Sequence, residues 1–326
     1  MAPGAPAPLR GTGTLQARNL GRLFRDALPP ALLNAAMAEA DRIAGVEENY
    51  WMPRSDVLRA CHATPAQPAG DLAVAEMVAA ALYERVLRPH GLLGEDSGWS
   101  GAEWWAQTYE TPGDGLAFHF DKDEAAMAER GEMRTPLVSC VVYLAEEGEG
   151  KPRLGATMVL DQAYDHEAEA AVPETSARCV LVWPSLGNVL VFDGNLAHGV
   201  TDSANLEDTR RTLLVNWWAE RPENVPRPAS DVLRSQGMAT TRKRDVHWLR
   251  EGREAAEVSV AAMDVGKSYP PSVALLFASA AETCGVDIDR VAAVRVDHAG
   301  WNPVMIESPD GKTIPLALMP AEAPCP

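Results

Sequence analysis

Cysteine is scarce in this chain. The five residues, Cys61, Cys140, Cys179, Cys284 and Cys325, are odd in number and lack the short paired spacings of a zinc or redox site. A disulfide framework is therefore not expected, and a reducing compartment such as the cytoplasm is the expected location. Cys140 and Cys179 sit inside apolar runs and read as buried thiols. Basic residues are outnumbered, 29 Lys and Arg against 46 Asp and Glu, for a net charge of −17. Proteins that grip a phosphate backbone rely on clustered cations, so nucleic acid is not the expected partner. The run Arg242-Lys243-Arg244 reads as a solvated helix face. No apolar run is long enough to span a bilayer, and there is no Gly-rich phosphate loop and no internal repeat. The first 25 residues have neither acids nor serine but carry Arg10, Arg18, Arg22 and Arg25. The arginines faintly resemble organelle targeting; the Ala/Pro/Gly opening makes residues 1–17 read as a disordered tail.

What is present is a hydrophobic content of 46% over 326 residues, enough for one large domain with a smaller appendage. A short strand or turn is expected within Arg18 to Ala27. Leu28-Pro29-Pro30 opens a helix whose apolar positions run from Leu32 to Ile43, with Gly45 as its stop. A second helix is expected from Asp71, as N-cap, to Leu87. From Trp104 to Trp218 the pattern changes to strands: Trp104 to Tyr109, Ala117 to Asp121, Leu137 to Leu144, Ala156 to Leu160, Cys179 to Trp183, Val189 to Phe192 and Thr212 to Trp218. Helices followed by strands without regular alternation indicate an α+β fold with a β-barrel or sandwich core. The stretch 221–229, with Pro222, Pro226 and Pro228, reads as a linker. Residues 230–326 read as a small α+β appendage: helices over Asp245 to Ala256 and Ser272 to Thr283, then a hairpin of Val304 to Glu307 and Thr313 to Leu318. It would serve as a small domain, a lid or an oligomerisation arm.

The chemistry concentrates in His119-Phe120-Asp121 and in His198, 77 residues beyond Asp121. Strand residues i and i+2 share a face, so His119 and Asp121 would present an imidazole beside a carboxylate. A second imidazole from a distant strand completes a two-His-one-carboxylate set, the ligand arrangement of non-haem Fe(II) oxygenases. The triplet alone is weak, because this composition supplies a His-x-acid triplet about once by chance. The other histidines, His62, His90, His166, His247 and His298, have no partner at ligand spacing. On Leu137 to Leu144, Ser139, Val141 and Tyr143 share one face. On the last strand, Arg211, Leu213, Val215 and Trp217 share one face, and Arg210, Thr212, Leu214, Asn216 and Trp218 the other. An arginine on an inward face needs an anion, and its planar fork suits a carboxylate. By alternation alone either Arg210 or Arg211 fits.

Together these residues resemble the 2-oxoglutarate- and Fe(II)-dependent oxygenases, in particular their prolyl-4-hydroxylase-like branch, over roughly Arg18 to Glu220. The resemblance implies a double-stranded β-helix, a jelly-roll or cupin-like barrel with supporting N-terminal helices. It implies His119, Asp121 and His198 as iron ligands. A basic residue six before a tryptophan binds the distal carboxylate of 2-oxoglutarate in that family, which favours Arg211 with Trp217. Tyr143 takes the place of a tyrosine that assists the same carboxylate. Tyr109-Glu110-Thr111-Pro112-Gly113-Asp114-Gly115 looks like the family's lead-in to the first ligand, and the stretch Lys122 to Pro136 would help surround the substrate. Leu154-Gly155-Ala156-Thr157 departs from the usual pair of glycines.

The implied activity is hydroxylation of an unactivated C–H bond in a protein side chain or small metabolite, with 2-oxoglutarate converted to succinate and CO2. Ascorbate would serve as an auxiliary reductant. Because Asp121 is present, no ligand position is freed for halide, and hydroxylation is favoured over halogenation. A cupin-type metal enzyme without 2-oxoglutarate, and a non-catalytic barrel acting as a scaffold, are the competing readings.

Overall fold

The computed structural model describes residues 20–46, 48–63, 71–109, 115–145, 154–173, 176, 178–201, 209–238, 252–258, 263–264, 293–295, 304–307 and 313–316. The expected N-terminal tail, the lead-in residues 110–114, the basic run 242–244 and the helix over 272–283 lie outside them.

Two antiparallel sheets form the centre. The first, of seven strands, runs β12(Ala256–Val258), β1(Arg22–Arg25), β9(Val189–Asp193), β5(Val138–Tyr143), β11(Arg210–Trp218), β3(Gly101–Tyr109) and β2(Tyr50–Pro53). The second runs β13(Met263–Asp264), β8(Arg178–Val182), β6(Thr157–Asp165), β10(Leu196–Val200) and β4(Leu116–His119), with β7(Ala170–Val172) paired to β6. From β3 to β11 the chain passes repeatedly between sheets: β3, β5, β9 and β11 lie in the first, and β4, β6, β8 and β10 in the second. A separate three-stranded sheet, β14(Ala293–Arg295), β15(Val304–Glu307) and β16(Thr313–Leu316), contains the expected hairpin.

Alternation along the strands divides the core in two. Val141, Tyr143, Val159, Val180, Leu190, Phe192 and Leu214 pack between the sheets. Val138, Cys140, Val142, Leu213, Val215 and Trp217 face the other way, onto the helices. The helical layer comprises α1(Pro30–Ala44), α2(Arg54–Cys61) and α3(Val74–Leu82). Pro30 sits in the first turn of α1, where its missing N–H is harmless, and the chain leaves the helix at Gly45. All nine residues of α3 are buried, as their near-continuous apolar sequence requires. Its N-terminus is set by Ala73, whose N–H donates to the Glu76 carboxylate at 2.9 Å, rather than by Asp71. A π-helical turn, Tyr83–Leu87, continues it. Among the described residues no helix is long and apolar enough to cross a membrane. Cys140 and Cys179 are buried, and burial pushes both thiols up to about 12.

Three segments differ from expectation. Lys122 to Pro136 contains a helix, α4(Glu124–Arg130), with Asp123 as N-cap accepting from the Ala126 N–H and Gly131 leaving it at φ 66°. Residues 221–229 lie against the domain: the Pro226 carbonyl accepts from the Trp51 N–H at 2.8 Å, and Arg227 pairs with Asp56 and with buried Glu76. Beyond a short helix α5(Ser230–Ser235), residues 252–255 are not helical and lead into β12, an edge strand of the first sheet; β13 extends the second. The sheets therefore draw strands from beyond residue 230.

Candidate metal centre and anion pocket

His119 ends β4 and His198 lies at the centre of β10; the two are direct cross-strand partners, with ring centroids 4.5 Å apart. Asp121, just beyond β4, completes the group. Its Oδ1 lies 3.5 Å from His119 Nε2 and its Oδ2 3.5 Å from His198 Nε2. One ligand atom from each residue falls within 4.8 Å of the others. Each imidazole turns Nδ1 toward the carbonyl two residues earlier, Ala117 O at 2.8 Å and Leu196 O at 3.0 Å. A carbonyl only accepts, so the proton belongs on Nδ1 and the Nε2 lone pair is directed into the cluster. Burial alone would raise the Asp121 carboxyl, but the two histidines and the Asn216 donor overcome it and hold the group well below the usual carboxylate range. His198 is lowered by burial against the opposing pull of Asp121, whereas His119, also desolvated, is raised by the adjacent Asp121 charge. Two neutral nitrogen donors and an anionic oxygen at this spacing fit a divalent transition metal. This fold brings together all three residues expected from the sequence.

A transverse row of inner-face residues lies beneath the triad. Phe192, Ser139, Asn216 and Glu103 are successive cross-strand partners on β9, β5, β11 and β3. Phe192 packs 4.8 Å from the His198 ring. Asn216 Nδ2 and Ser139 Oγ donate to Asp121 Oδ2 at 3.0 and 3.3 Å. Glu103 accepts from Asn49 and from the Trp218 indole at 2.8 and 2.9 Å, and burial pushes its carboxyl up to about 7.

The arginines divide by face. Arg211, expected inside, ends outside the first sheet on Asp41 of α1, with Nε to Oδ1 at 2.6 Å. Trp217, on the same outward face, packs against Trp99 and Tyr83 with centroids 5.2 and 5.9 Å away. Neither residue shares the inter-sheet space with Tyr143. Thr212, Tyr143's cross-strand partner, fixes the inner face as that of the even-numbered residues, and Arg210 lies on it. The Arg210 side chain is 2% exposed. It donates to Gly155 O at 3.0 Å and to Thr157 Oγ1 at 2.9 Å, and its guanidinium lies 5.2 Å from the Tyr109 ring and 5.9 Å from that of Tyr143. Tyr143 donates to Thr157 Oγ1 at 2.8 Å; burial pushes its hydroxyl up to about 12, so it remains a donor at neutral pH. Among the described residues no carboxylate pairs with Arg210, and desolvation lowers its pKa.

Gly155 is required by close approach, because a Cβ there would collide with the Thr201 carbonyl. The sequence offered Arg210 as the alternative to Arg211 but favoured Arg211, and it assigned no role to Thr157, Ser139, Asn216 or Glu103. The parity of Tyr143 and a polar Asn216 in an apolar strand were the available signals. A cavity of about 600 Å³ opens along Trp105 to Tyr109 at the edge of β3, walled also by Asp41, Glu48 and Leu116.

No family model matches the chain, and no curated protein matches it in sequence. Among solved structures, the chain is similar to a prolyl-4-hydroxylase from Pseudomonas putida, with 20% identity over 69% of this chain and 97% of that one and a TM-score of 0.41. It is similar to iron-bound HygX from Streptomyces hygroscopicus at 15% identity, covering 65% of this chain and 89% of that one, TM-score 0.36. A prolyl hydroxylase from Trichoplax adhaerens, in complex with a hypoxia-inducible-factor peptide fragment, aligns at 12% identity, covering 62% and 84%, TM-score 0.37. Many of the solved structures this chain resembles are thus 2-oxoglutarate/Fe(II) oxygenases, prolyl-4-hydroxylases among them.

Proposed function

We propose that this protein is an Fe(II)- and 2-oxoglutarate-dependent dioxygenase that hydroxylates an unactivated C–H bond of a protein side chain or small metabolite, releasing succinate and CO2. The alternating strand path supports a double-stranded β-helix as its frame. The observation that carries the reading is Arg210: a buried guanidinium with no carboxylate partner among the described residues, in the same inter-sheet space as a two-His-one-carboxylate cluster. A buried cation is costly without a counter-ion, so this pocket calls for an anion. Its distance suits a short diacid. Thr157, where Arg210 and Tyr143 meet, lies two residues along β6 from Val159, the cross-strand partner of His198. Two strand residues span about 7 Å, which a five-carbon dicarboxylate bridges.

His119, Asp121 and His198 would hold the iron, with Nδ1 of each histidine fixed by a backbone carbonyl. Arg210 and Tyr143 would take the far carboxylate of 2-oxoglutarate through charge-assisted bonds, strengthened by exclusion of water. Val159, Leu190, Phe192 and Leu214 line the space between the sheets and keep it dry. When bound, iron with 2-oxoglutarate and oxygen supplies the oxidising chemistry; the protein supplies position and electrostatics. The cavity beside β3 is the proposed approach for substrate. A metal enzyme that used no 2-oxoglutarate would leave Arg210 without its anion.

The test is binding of 2-oxoglutarate to protein loaded with Mn(II) in place of iron, followed by succinate release with Fe(II), oxygen and ascorbate across peptide and small-molecule candidates. Metal-dependent 2-oxoglutarate binding is expected. Its absence overturns the proposal.

A further inference from the structure

We infer that Ser139 and Asn216 are positioning residues that tether one oxygen of Asp121 and leave the other free for the metal. The inference rests on the proposed metal site. Asp121 lies beyond the end of β4, where no ladder fixes its side chain, yet both of its oxygens have defined neighbours. Oδ2 accepts from Asn216 Nδ2 at 3.0 Å and from Ser139 Oγ at 3.3 Å; neither reaches Oδ1, which faces His119 Nε2.

The two donors come from a rigid source. Ser139 and Asn216 are direct cross-strand partners on β5 and β11, central strands of the first sheet, and each is 2% exposed. Their row continues to Phe192 against the His198 ring on one side and to Glu103 on the other, so the sheet supports the metal cluster from below. A carboxylate with one oxygen saturated by two donors cannot rotate without breaking both bonds, and its open oxygen is pre-set for one-point ligation. Partners of this kind set ligand orientation, and their loss typically weakens metal binding about 10- to 100-fold.

The offset in β11 agrees. Six residues beyond Arg210, on the same inner face, stands Asn216 rather than a tryptophan. One strand thus brings a cation for the cosubstrate and an amide for the metal ligand.

The experiment is a Co(II) titration of the full chain, followed by visible absorption, with thermal unfolding of the metal-free proteins measured in parallel. Asn216→Ala and Ser139→Ala should each weaken Co(II) binding about tenfold or more, and Ser139→Thr, which keeps the hydroxyl, should restore near wild-type binding. A purely structural role would lower the unfolding temperature and leave Co(II) affinity unchanged; that result overturns the inference. Ser139→Ala is the smaller change and keeps the test decisive if Asn216→Ala fails to fold. Asp121→Ala separates the two levels of argument. Wild type binding Co(II) no better than Asp121→Ala refutes the metal site and this inference with it, whereas loss of binding in Asp121→Ala alone refutes only the tether.

Discussion

Arg210 and Tyr143 meet at a single acceptor: both donate to Thr157 Oγ1, at 2.9 and 2.8 Å. The hydroxyl therefore joins a buried cation to a neutral donor; Arg210 keeps N–H groups for an incoming carboxylate, and the single Tyr143 O–H would turn from Thr157 to reach it. Arg210→Ala should weaken 2-oxoglutarate binding about 10- to 100-fold, the loss expected for a hydrogen-bonded charge at about 1.5–3 kcal/mol. Arg211→Ala should leave it unchanged, because that side chain ends on exposed Asp41, in a surface pair contributing at most about 1 kcal/mol. Calorimetric titration of both Mn(II)-loaded variants checks the pair; the opposite ranking would remove Arg210 from its proposed role.

Removing any corner of the metal cluster should abolish iron loading. His119→Ala, Asp121→Ala and His198→Ala proteins, incubated with Fe(II) without oxygen and desalted, should carry no stoichiometric iron and release no succinate. Full iron content in any of them would exclude that residue as a ligand.

The carboxyl of Glu103 makes stability pH-dependent. Burial pushes it up to about 7 from an ordinary 4.5, with the Asn49 and Trp218 donors opposing and the Asp121 charge assisting. Its folded value exceeds its unfolded value, so between these pH values the folded state keeps a proton that the unfolded state has released. Stability should therefore fall as pH rises from about 4.5 to about 7, by up to about 3 kcal/mol in total, and this contribution should be flat above that window. Urea midpoints at about pH 5 and pH 7.5 should differ less in Glu103→Gln than in wild type. Equal differences would show that Glu103 does not titrate in that window.

Gly155→Ala should destabilise the fold by about 1–3 kcal/mol, because its Cβ would drive into the Thr201 carbonyl. Since the Gly155 carbonyl also accepts from Arg210 Nε, 2-oxoglutarate binding should weaken in parallel. Thermal unfolding and cosubstrate titration of this variant report the two effects separately.

The apolar runs made most of the central strands legible, and proline and glycine marked both ends of α1. β10 was harder: its Leu196-Ala197-His198-Gly199-Val200 has little intrinsic strand preference, and ladders to β6 and β4 impose the conformation. β2 is only four residues long and ends in proline. The triad was readable because the His-x-Asp spacing places two donors together at a strand end. Arg211 was misplaced through register, since shifting the assignment by one residue turns every side chain to the opposite face. The tryptophan offset pointed to the outward set, whereas Asn216, a polar side chain between Val215 and Trp217, marked the inner one. Its partner Asp121 is 95 residues away in sequence, which no local pattern discloses.

Chain from beyond residue 230 stitches itself onto both halves of the sandwich. β12 covers β1, secured by the Arg22–Glu257 ion pair, and β13 covers β8. A fragment trimmed to residues 18–220 would uncover the flanks of β1 and β8, whose unsatisfied amides and carbonyls invite pairing with other molecules. Producing residues 18–220 alone should thus yield self-associating material, and a well-behaved fragment should include β13 through Asp264.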